Sequence, residues 1–550
     1  MPGVADYLIG RLRDLGTRSL FGLPGGGGNL DLIQAAGRAG LPFVLTTTET
    51  GSAIAAIAQA EITGAPGACI TTLGPGAASV LNGIACARLE RVPLLVITDS
   101  YASSATAFEH QRLDQSALLA PIVKWSGSLA PNVASQNVGS AFDRLAELPP
   151  GPVHLDCPAD FEEATAGDSG LGARSWRHTD AFSDPAFRSL VASARKPILI
   201  VGLAARQAAY ATAIRALCET HRVPALVTYK AKGVIPDSHP WFGGVFTHGA
   251  IERLIIDESD LIIGIGFDPV EILPRAWNYR QPVISIARWE MAEDHVPFRG
   301  QHVGTDEGID LELAEVLTRS DWDQNAVRAH AENARRAVRA AGFNHRSPGE
   351  GGPPMPHADP ASGLTPQTVV TIAAGQFAGK ARVTIDAGAH MLPAAVLWPV
   401  SEPNELLISN GLSTMGFAVP AAIGAAVLDR SRLVVALTGD GGVLMCVGEL
   451  LTAVRERLRM IVIVFNDASL SLIAVKQQGR QLPESGVGLG DVDWAALARS
   501  VGAAGFTATD EASLESTLHD AKREAGPSVI DARVDGSNYR ATLTAIRGGA

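Results

Sequence analysis

Cysteine is scarce in this chain of 550 residues. The five present, Cys69, Cys86, Cys157, Cys218 and Cys446, are odd in number, far apart and never spaced CxxC, which argues against a disulfide framework or a cysteine zinc site. A basic excess is missing too: 45 Lys and Arg stand against 57 Asp and Glu, a net charge of -12, so no global attraction draws the chain to nucleic acid or anionic lipid. Charged residues are 19% and hydrophobic residues 46%, a globular balance without room for long disorder. Stretches 62–87 and 406–428 lack charge, yet Gly, Pro and polar side chains break both, so they read as buried loops and helices and no membrane association is expected. Met1 to Gly16 carries Asp6, Arg11, Arg13 and Asp14 through an apolar pattern of helical period, unlike a signal peptide, so a cytoplasmic enzyme is expected.

Glycine (57) and proline (33) are plentiful, and they punctuate short apolar runs such as Pro93-Leu-Leu-Val-Ile-Thr, Pro197-Ile-Leu-Ile-Val and Met460-Ile-Val-Ile-Val-Phe. Continuous apolar strands alternating with helical patterns suit parallel sheets covered on both faces. Composition breaks twice, at 162–185 (Gly, Ser, Thr, Ala and charge) and at 342–366 (a Pro/Gly linker). The expected architecture is α/β, three doubly wound parallel-sheet domains at 1–163, 186–340 and 367–550.

The sharpest local signal is Gly439-Asp440-Gly441-Gly442, between a strand at Leu433 to Thr438 and an amphipathic helix expected around Glu449 to Arg455. Glycines at such a turn let backbone approach a phosphate. Alone it also fits an ordinary Asp-Gly turn. Twenty-seven residues after Asp440, the strand Ile461 to Phe465 ends in Asn466-Asp467-Ala468-Ser469. Two adjacent strand ends that each offer a carboxylate, with a loop carbonyl and a diphosphate, make the oxygen-only shell that Mg2+ requires.

Here the chain resembles the thiamine diphosphate (ThDP) enzymes of the acetohydroxyacid (acetolactate) synthase and 2-oxo acid decarboxylase superfamily, whose cofactor motif is Gly-Asp-Gly followed nearly thirty residues later by Asn-Asn. Asp467 replaces the second Asn. The resemblance implies Mg2+ ligation by Asp440, Asp467 and the Ser469 carbonyl, with Gly439, Gly441 and Gly442 in the cofactor turn and Asn466 placing the second loop. It extends to Phe21-Gly22-Leu23-Pro24-Gly25-Gly26, Thr72-Leu-Gly-Pro-Gly76, Gly151-Pro-Val-His-Leu-Asp-Cys-Pro158 and Asn410-Gly-Leu-Ser-Thr-Met-Gly-Phe417. It makes Glu49 the catalytic glutamate, which shares a proton with N1′ of the aminopyrimidine so that the 4′-imine can take the C2 proton. Met415 would wedge between the cofactor rings, the Ser413 carbonyl would accept from the 4′-amino group, and Gly388, Ala389 and His390 would lie at the diphosphate.

The middle domain offers Gly202 and the pair Gly264 and Gly266 after strands, but neither turn completes GxGxxG. Relatives of this architecture sometimes hold FAD there, and the sequence leaves FAD open. Two positions depart from the synthases. His110, next to Gln111 on the synthases' active-site glutamine, stands where those enzymes usually have Phe; it is able to move protons, and a surface histidine is the alternative. Lys476 replaces a tryptophan of the acceptor pocket; its ammonium suits an anionic substrate group, and the position fits a solvated lysine equally well. The resemblance implies addition to a 2-oxo acid, loss of CO2 and ligation of the enamine to a carbonyl acceptor, by a homodimer or dimer of dimers. The alternatives are a 2-oxo acid decarboxylase releasing an aldehyde and a non-catalytic ThDP-binding regulatory subunit.

Overall fold

Aliphatic and β-branched runs bounded by Gly or Pro form the strands, and the amphipathic or alanine-rich stretches between them form helices on both sheet faces. The structure, a computed structural model, describes residues 3–102, 105, 110–163, 179–304, 311–342 and 363–548. Most of the two expected linkers, at 164–178 and 343–362, lies outside the described residues, as do Phe108 and Glu109 before His110.

Three six-stranded parallel sheets follow one another along the chain. The first contains β1 (Leu20–Leu23), β2 (Phe43–Leu45), β3 (Gly67–Thr71), β4 (Leu94–Ser100), β5 (Ser126–Ser128) and β6 (Pro152–Pro158), in the order β2-β1-β3-β4-β6-β5. The second contains β7 (Pro197–Val201), β8 (Ala225–Val227), β9 (Phe242–Val245), β10 (Leu261–Ile265), β11 (Val283–Ala287) and β12 (Phe298–Val303), in the order β12-β11-β10-β7-β8-β9. The third contains β13 (Arg382–Ile385), β14 (Leu406–Ile408), β15 (Val434–Gly439), β16 (Met460–Asn466), β17 (Ala504–Ala508) and β18 (Ser528–Arg533), in the order β14-β13-β15-β16-β18-β17. The outer two sheets share one topology, and the middle one has the dinucleotide-fold order.

One helix pair locks the first sheet's layer to the third. Glu49–Thr63 and Ala418–Leu428 are apolar on every side rather than along one stripe, so both must be buried all round. Their small residues bring the backbones together: a Cβ at Gly424 would overlap the Ala55 carbonyl, and Gln59 Nε2 donates to Gly424 O at 3.1 Å. The uncharged stretch 406–428 is thus mostly interior. Among the described residues no helix is long and apolar enough to cross a membrane.

The helix expected around Glu449 is present as Glu449–Arg455, but a further helix, Asp440–Cys446, starts directly at the glycine motif. Asp-Gly-Gly is a poor helix former. Here the turn is fixed from outside: a Cβ at Gly442 would lie 2.6 Å from Asp386 Oδ2 and 2.8 Å from Thr438 Oγ1.

Candidate functional site

In an open parallel sheet the crevice lies outside the carboxyl ends of the strands, where the strand order reverses. In the third sheet that point falls between β13 and β15, and the loops leaving β13, β15 and β16 converge there. Register aligns them: Ile385 pairs with Leu437 and Gly439 with Phe465, so residues 386–390, 439–442 and 466–469 emerge together. They enclose a cavity of about 330 Å³.

The cavity gathers Gly388, Ala389, His390, Ser413, Met415, Gly439, Asp440, Gly441, Gly442, Asp467, Ser469 and Lys476, all singled out in the sequence. Asn466 lies behind the wall. Its Nδ2 donates to Asp531 Oδ1 (2.8 Å), and its Oδ1 accepts from Ala468 N (3.3 Å), which shapes a turn whose Ala468 has φ +54°.

Two acids share this space under strain. Asp440 accepts from Gly441 N at 2.7 Å and Ser469 N at 3.3 Å, while Asp467 accepts from the Ser471 hydroxyl. Burial pushes the Asp440 carboxyl up to about 6, and burial together with the Asp440 charge pushes Asp467 up to about 8. Ser469 Oγ is buried and has no hydrogen-bond partner among the described residues. Crowded oxygen donors that resist ionising together fit a divalent cation, whose charge would offset the cost of burial and the mutual repulsion of the two carboxylates. His390 stacks on Phe465 (5.1 Å between centroids) with Nε2 buried and unpartnered, and burial drops its imidazole to about 3, so it is neutral.

The 409–417 loop brings a hydrophobic prop into the same cavity. Ser413 is held at φ +54°, a costly conformation for a non-glycine residue, and Met415 Cε lies 3.3 Å from where a Gly441 Cβ would stand. Asp386 anchors the far end of this loop: its carboxylate accepts from Gly416 N (3.2 Å), Phe417 N (3.3 Å) and Thr438 Oγ1 (2.9 Å). Asp386, Leu273, Tyr539 and Arg547 were not singled out in the sequence; the last three also line the cavity. Tyr539 and Arg547 sit on the helix Tyr539–Arg547, far along the chain and without a motif.

The first-domain residues form a second cluster, at the corresponding crevice between β1 and β3. A Cβ on Gly25 would stand 2.7 Å from Thr72 Oγ1, one on Gly76 would stand 3.4 Å from Glu49 Oε1, and one on Gly74 would overlap the Gln111 carbonyl. Gly26 has open space around it. Glu49 begins the helix Glu49–Thr63, capped by Thr48 Oγ1 accepting from Gly51 N at 2.9 Å. His110 and Gln111 are exposed, and Gln111 has φ +58°. Neither they nor Glu49, Gly25 and Gly26 line the cavity at Asp440 within one chain.

The middle sheet reverses between β7 and β10, where a dinucleotide would place its diphosphate. That crevice is filled from within. Glu271 accepts from Leu203 N (2.9 Å) and Thr228 Oγ1 (2.5 Å), Ala204 N donates to Gly266 O (3.0 Å), and enclosure pushes the Glu271 carboxyl up to about 8. A protein carboxyl already takes the backbone N–H that a phosphate would need, so these residues do not fit the diphosphate of FAD.

Three domain families match the chain: "Thiamine pyrophosphate enzyme, N-terminal TPP binding domain" over 3–118, "central domain" over 186–294 and "C-terminal TPP binding domain" over 386–532. The acetolactate synthase of Bacillus subtilis is 27% identical over 547 residues, covering 97% of this chain and 93% of that protein. The catabolic acetolactate synthase of Raoultella terrigena is 29% identical, covering 96% and 95%. The acetolactate synthase isozyme 1 large subunit of Escherichia coli is 27% identical, covering 96% and 94%. With three matching domain types in the order of the three sheets, and similarity along nearly the whole length, this chain belongs to the thiamine diphosphate enzymes of the acetolactate synthase and 2-oxo acid decarboxylase superfamily.

Proposed function

We propose that the protein is an acetolactate synthase-like carboligase that uses ThDP and Mg2+. The observation that carries this is the convergence of Asp440, Asp467 and Ser469 with Gly388, His390 and Met415 in one cavity at the crevice of the third sheet. Asp440, Asp467 and the Ser469 carbonyl would hold Mg2+, and the backbone of Gly439 to Gly442 would face the diphosphate. Bound ThDP supplies the electron sink into which a 2-oxo acid loses CO2, so that its remaining acyl unit can attack a carbonyl acceptor. With ThDP bound, Met415 would press against its rings, and the Ser413 carbonyl would be the acceptor for its 4′-amino group. Glu49 would be the carboxyl that shares a proton with N1′ of the aminopyrimidine. Leu470 and Leu472 line the cavity beside the acids, and Lys476 would offer a charge to an anionic substrate.

Glu49 stands outside the Asp440 cavity of its own chain, and Leu444, Met445 and Leu451 are exposed just beyond Gly442. Both features favour a homodimer in which each cavity receives Glu49, His110 and Gln111 from the partner. Mixing Glu49→Gln with Asp440→Ala subunits should then restore part of the activity each lacks alone.

Product analysis tests the reaction. With ThDP, Mg2+ and a panel of 2-oxo acids, alone or with aldehyde or oxo-acid acceptors, CO2 release should accompany a new carbon–carbon bond. Free aldehyde as the sole product would instead mark a decarboxylase, and no turnover a non-catalytic subunit.

A further inference from the structure

The loop that carries Ser413 and Met415 is held at one end by Asp386 of its own domain. Its other end is held from elsewhere. Glu90, which caps the helix Leu81–Leu89 of the first domain, is fully buried. Its Oε1 accepts from Ser409 Oγ at 3.0 Å, Gly411 N at 2.9 Å and Leu412 N at 3.3 Å. The backbones touch at this point, since a Cβ on Gly411 would lie 2.6 Å from Leu89 O. One residue past Ser413, Thr414 Oγ1 donates to Asn82 Oδ1 of the same first-domain helix at 2.9 Å.

The middle domain completes the clamp. Lys230, itself buried, lies 3.1 Å from Glu90 Oε2, donates to Ile408 O at 2.9 Å and pairs with the buried Glu61, to which Arg206 also comes within 3.2 Å. Burial alone would raise the Glu61 carboxyl, and the Lys230 and Arg206 charges reverse this and hold it below its ordinary range. All three domains therefore meet at residues 408–412. None of Glu61, Glu90 and Lys230 lines the cavity.

We propose that Glu90 is a positioning residue: through Ser409, Gly411 and Leu412 it sets where the Ser413 carbonyl and Met415 stand in the cavity, and so how the cofactor's rings are held. This rests on the ThDP reading of that cavity. A loop seated on another domain also makes the cavity's geometry depend on how the domains are packed. A displacement of about an ångström at a reacting group costs up to about 10²-fold in rate, whereas affinity for the diphosphate, held by other loops, should change little.

The test measures three quantities in the full-length protein. ThDP affinity with Mg2+ is taken by calorimetry, C2 hydrogen/deuterium exchange of bound ThDP by quenched-flow NMR, and unfolding temperature by scanning calorimetry. Glu90→Ala should slow C2 exchange about 10- to 100-fold with less than about a threefold change in ThDP affinity. Glu90→Gln keeps an acceptor oxygen for the three donors but turns its amide N–H2 toward Lys230 Nζ, so it should recover part of the rate. Glu90→Asp keeps the charge but withdraws it by one methylene, so it should fold even if the alanine variant does not, and should fall between them. Wild-type exchange in Glu90→Ala, or in Glu90→Asp if the former fails to fold, would overturn the positioning role, as would a lowered unfolding temperature with an unchanged rate. A glutamine variant no faster than alanine would also overturn it. Wild-type protein that binds no ThDP would overturn the cavity reading, and the role of Glu90 with it.

Discussion

Lys476→Met probes the substrate's charge. The side chain lines the cavity but stays exposed at its rim, on the helix Ser471–Gly479, and Arg547 shares the lining. A charge-assisted contact in a dry pocket contributes about 1.5 to 3 kcal/mol, but solvent at the rim screens this one, and the second cation would retain part of the attraction. The expected loss is therefore about 1 to 1.5 kcal/mol, or roughly 5- to 13-fold in kcat/KM for an anionic 2-oxo acid acceptor. A neutral aldehyde of similar size should lose less than about twofold, because methionine preserves the apolar stem. The assay is steady-state product formation with each acceptor under a saturating donor. The loss for the anion should also shrink at high salt, as screening requires. Equal losses for both acceptors, or no loss for either, would refute the placement of this ammonium beside a bound anion.

Three further outcomes follow from the same geometry. Asp440→Ala should weaken ThDP binding at least about tenfold, and chelation of Mg2+ should strip cofactor from the wild type, both read by calorimetry. Glu271 has its carboxyl raised to about 8 in the folded state from an ordinary 4.5. The folded chain then binds the extra proton, so this group's contribution is fully present at low pH and is lost as pH rises from about 4.5 to 8, at no more than about 1.4 kcal/mol per pH unit. Glu271→Gln should flatten that slope in unfolding scans between pH 5 and 8; an unchanged slope would show that Glu271 ionises freely. Gly424→Val should cost about 2 to 3 kcal/mol or more in unfolding free energy, since its Cβ would overlap the Ala55 carbonyl; wild-type stability would mean that the two buried helices can separate there.

What could be read in the sequence was local. Gly439-Asp440-Gly441-Gly442 and Asn466-Asp467-Ala468-Ser469 mark strand ends that neighbour one another in a parallel sheet, so their chemistry is visible in a few consecutive residues. Asp386 shows the limit: Gly388, Ala389 and His390 beside it are legible, but its carboxylate acts on Gly416 and Phe417, about thirty residues away, which no periodicity reveals. Tyr539, Arg547 and Leu273 reach the cavity from other parts of the chain for the same reason. The helix beginning at Asp440 was hidden by the low helix propensity of its first three residues, which tertiary contacts override. Glu271 and Glu90 look like ordinary surface acids in the sequence; the loops of its own domain make Glu271 a buried acceptor, and packing against another domain does so for Glu90.

The most direct measurement of the central claim is C2 hydrogen/deuterium exchange in ThDP bound to the wild type and to Glu49→Gln, at saturating Mg2+. The wild type should exchange far faster than free ThDP, and Glu49→Gln should bind the cofactor with similar affinity yet exchange at least about 10²-fold more slowly. Exchange at the wild-type rate in Glu49→Gln, or at the free-cofactor rate in the wild type, would contradict it.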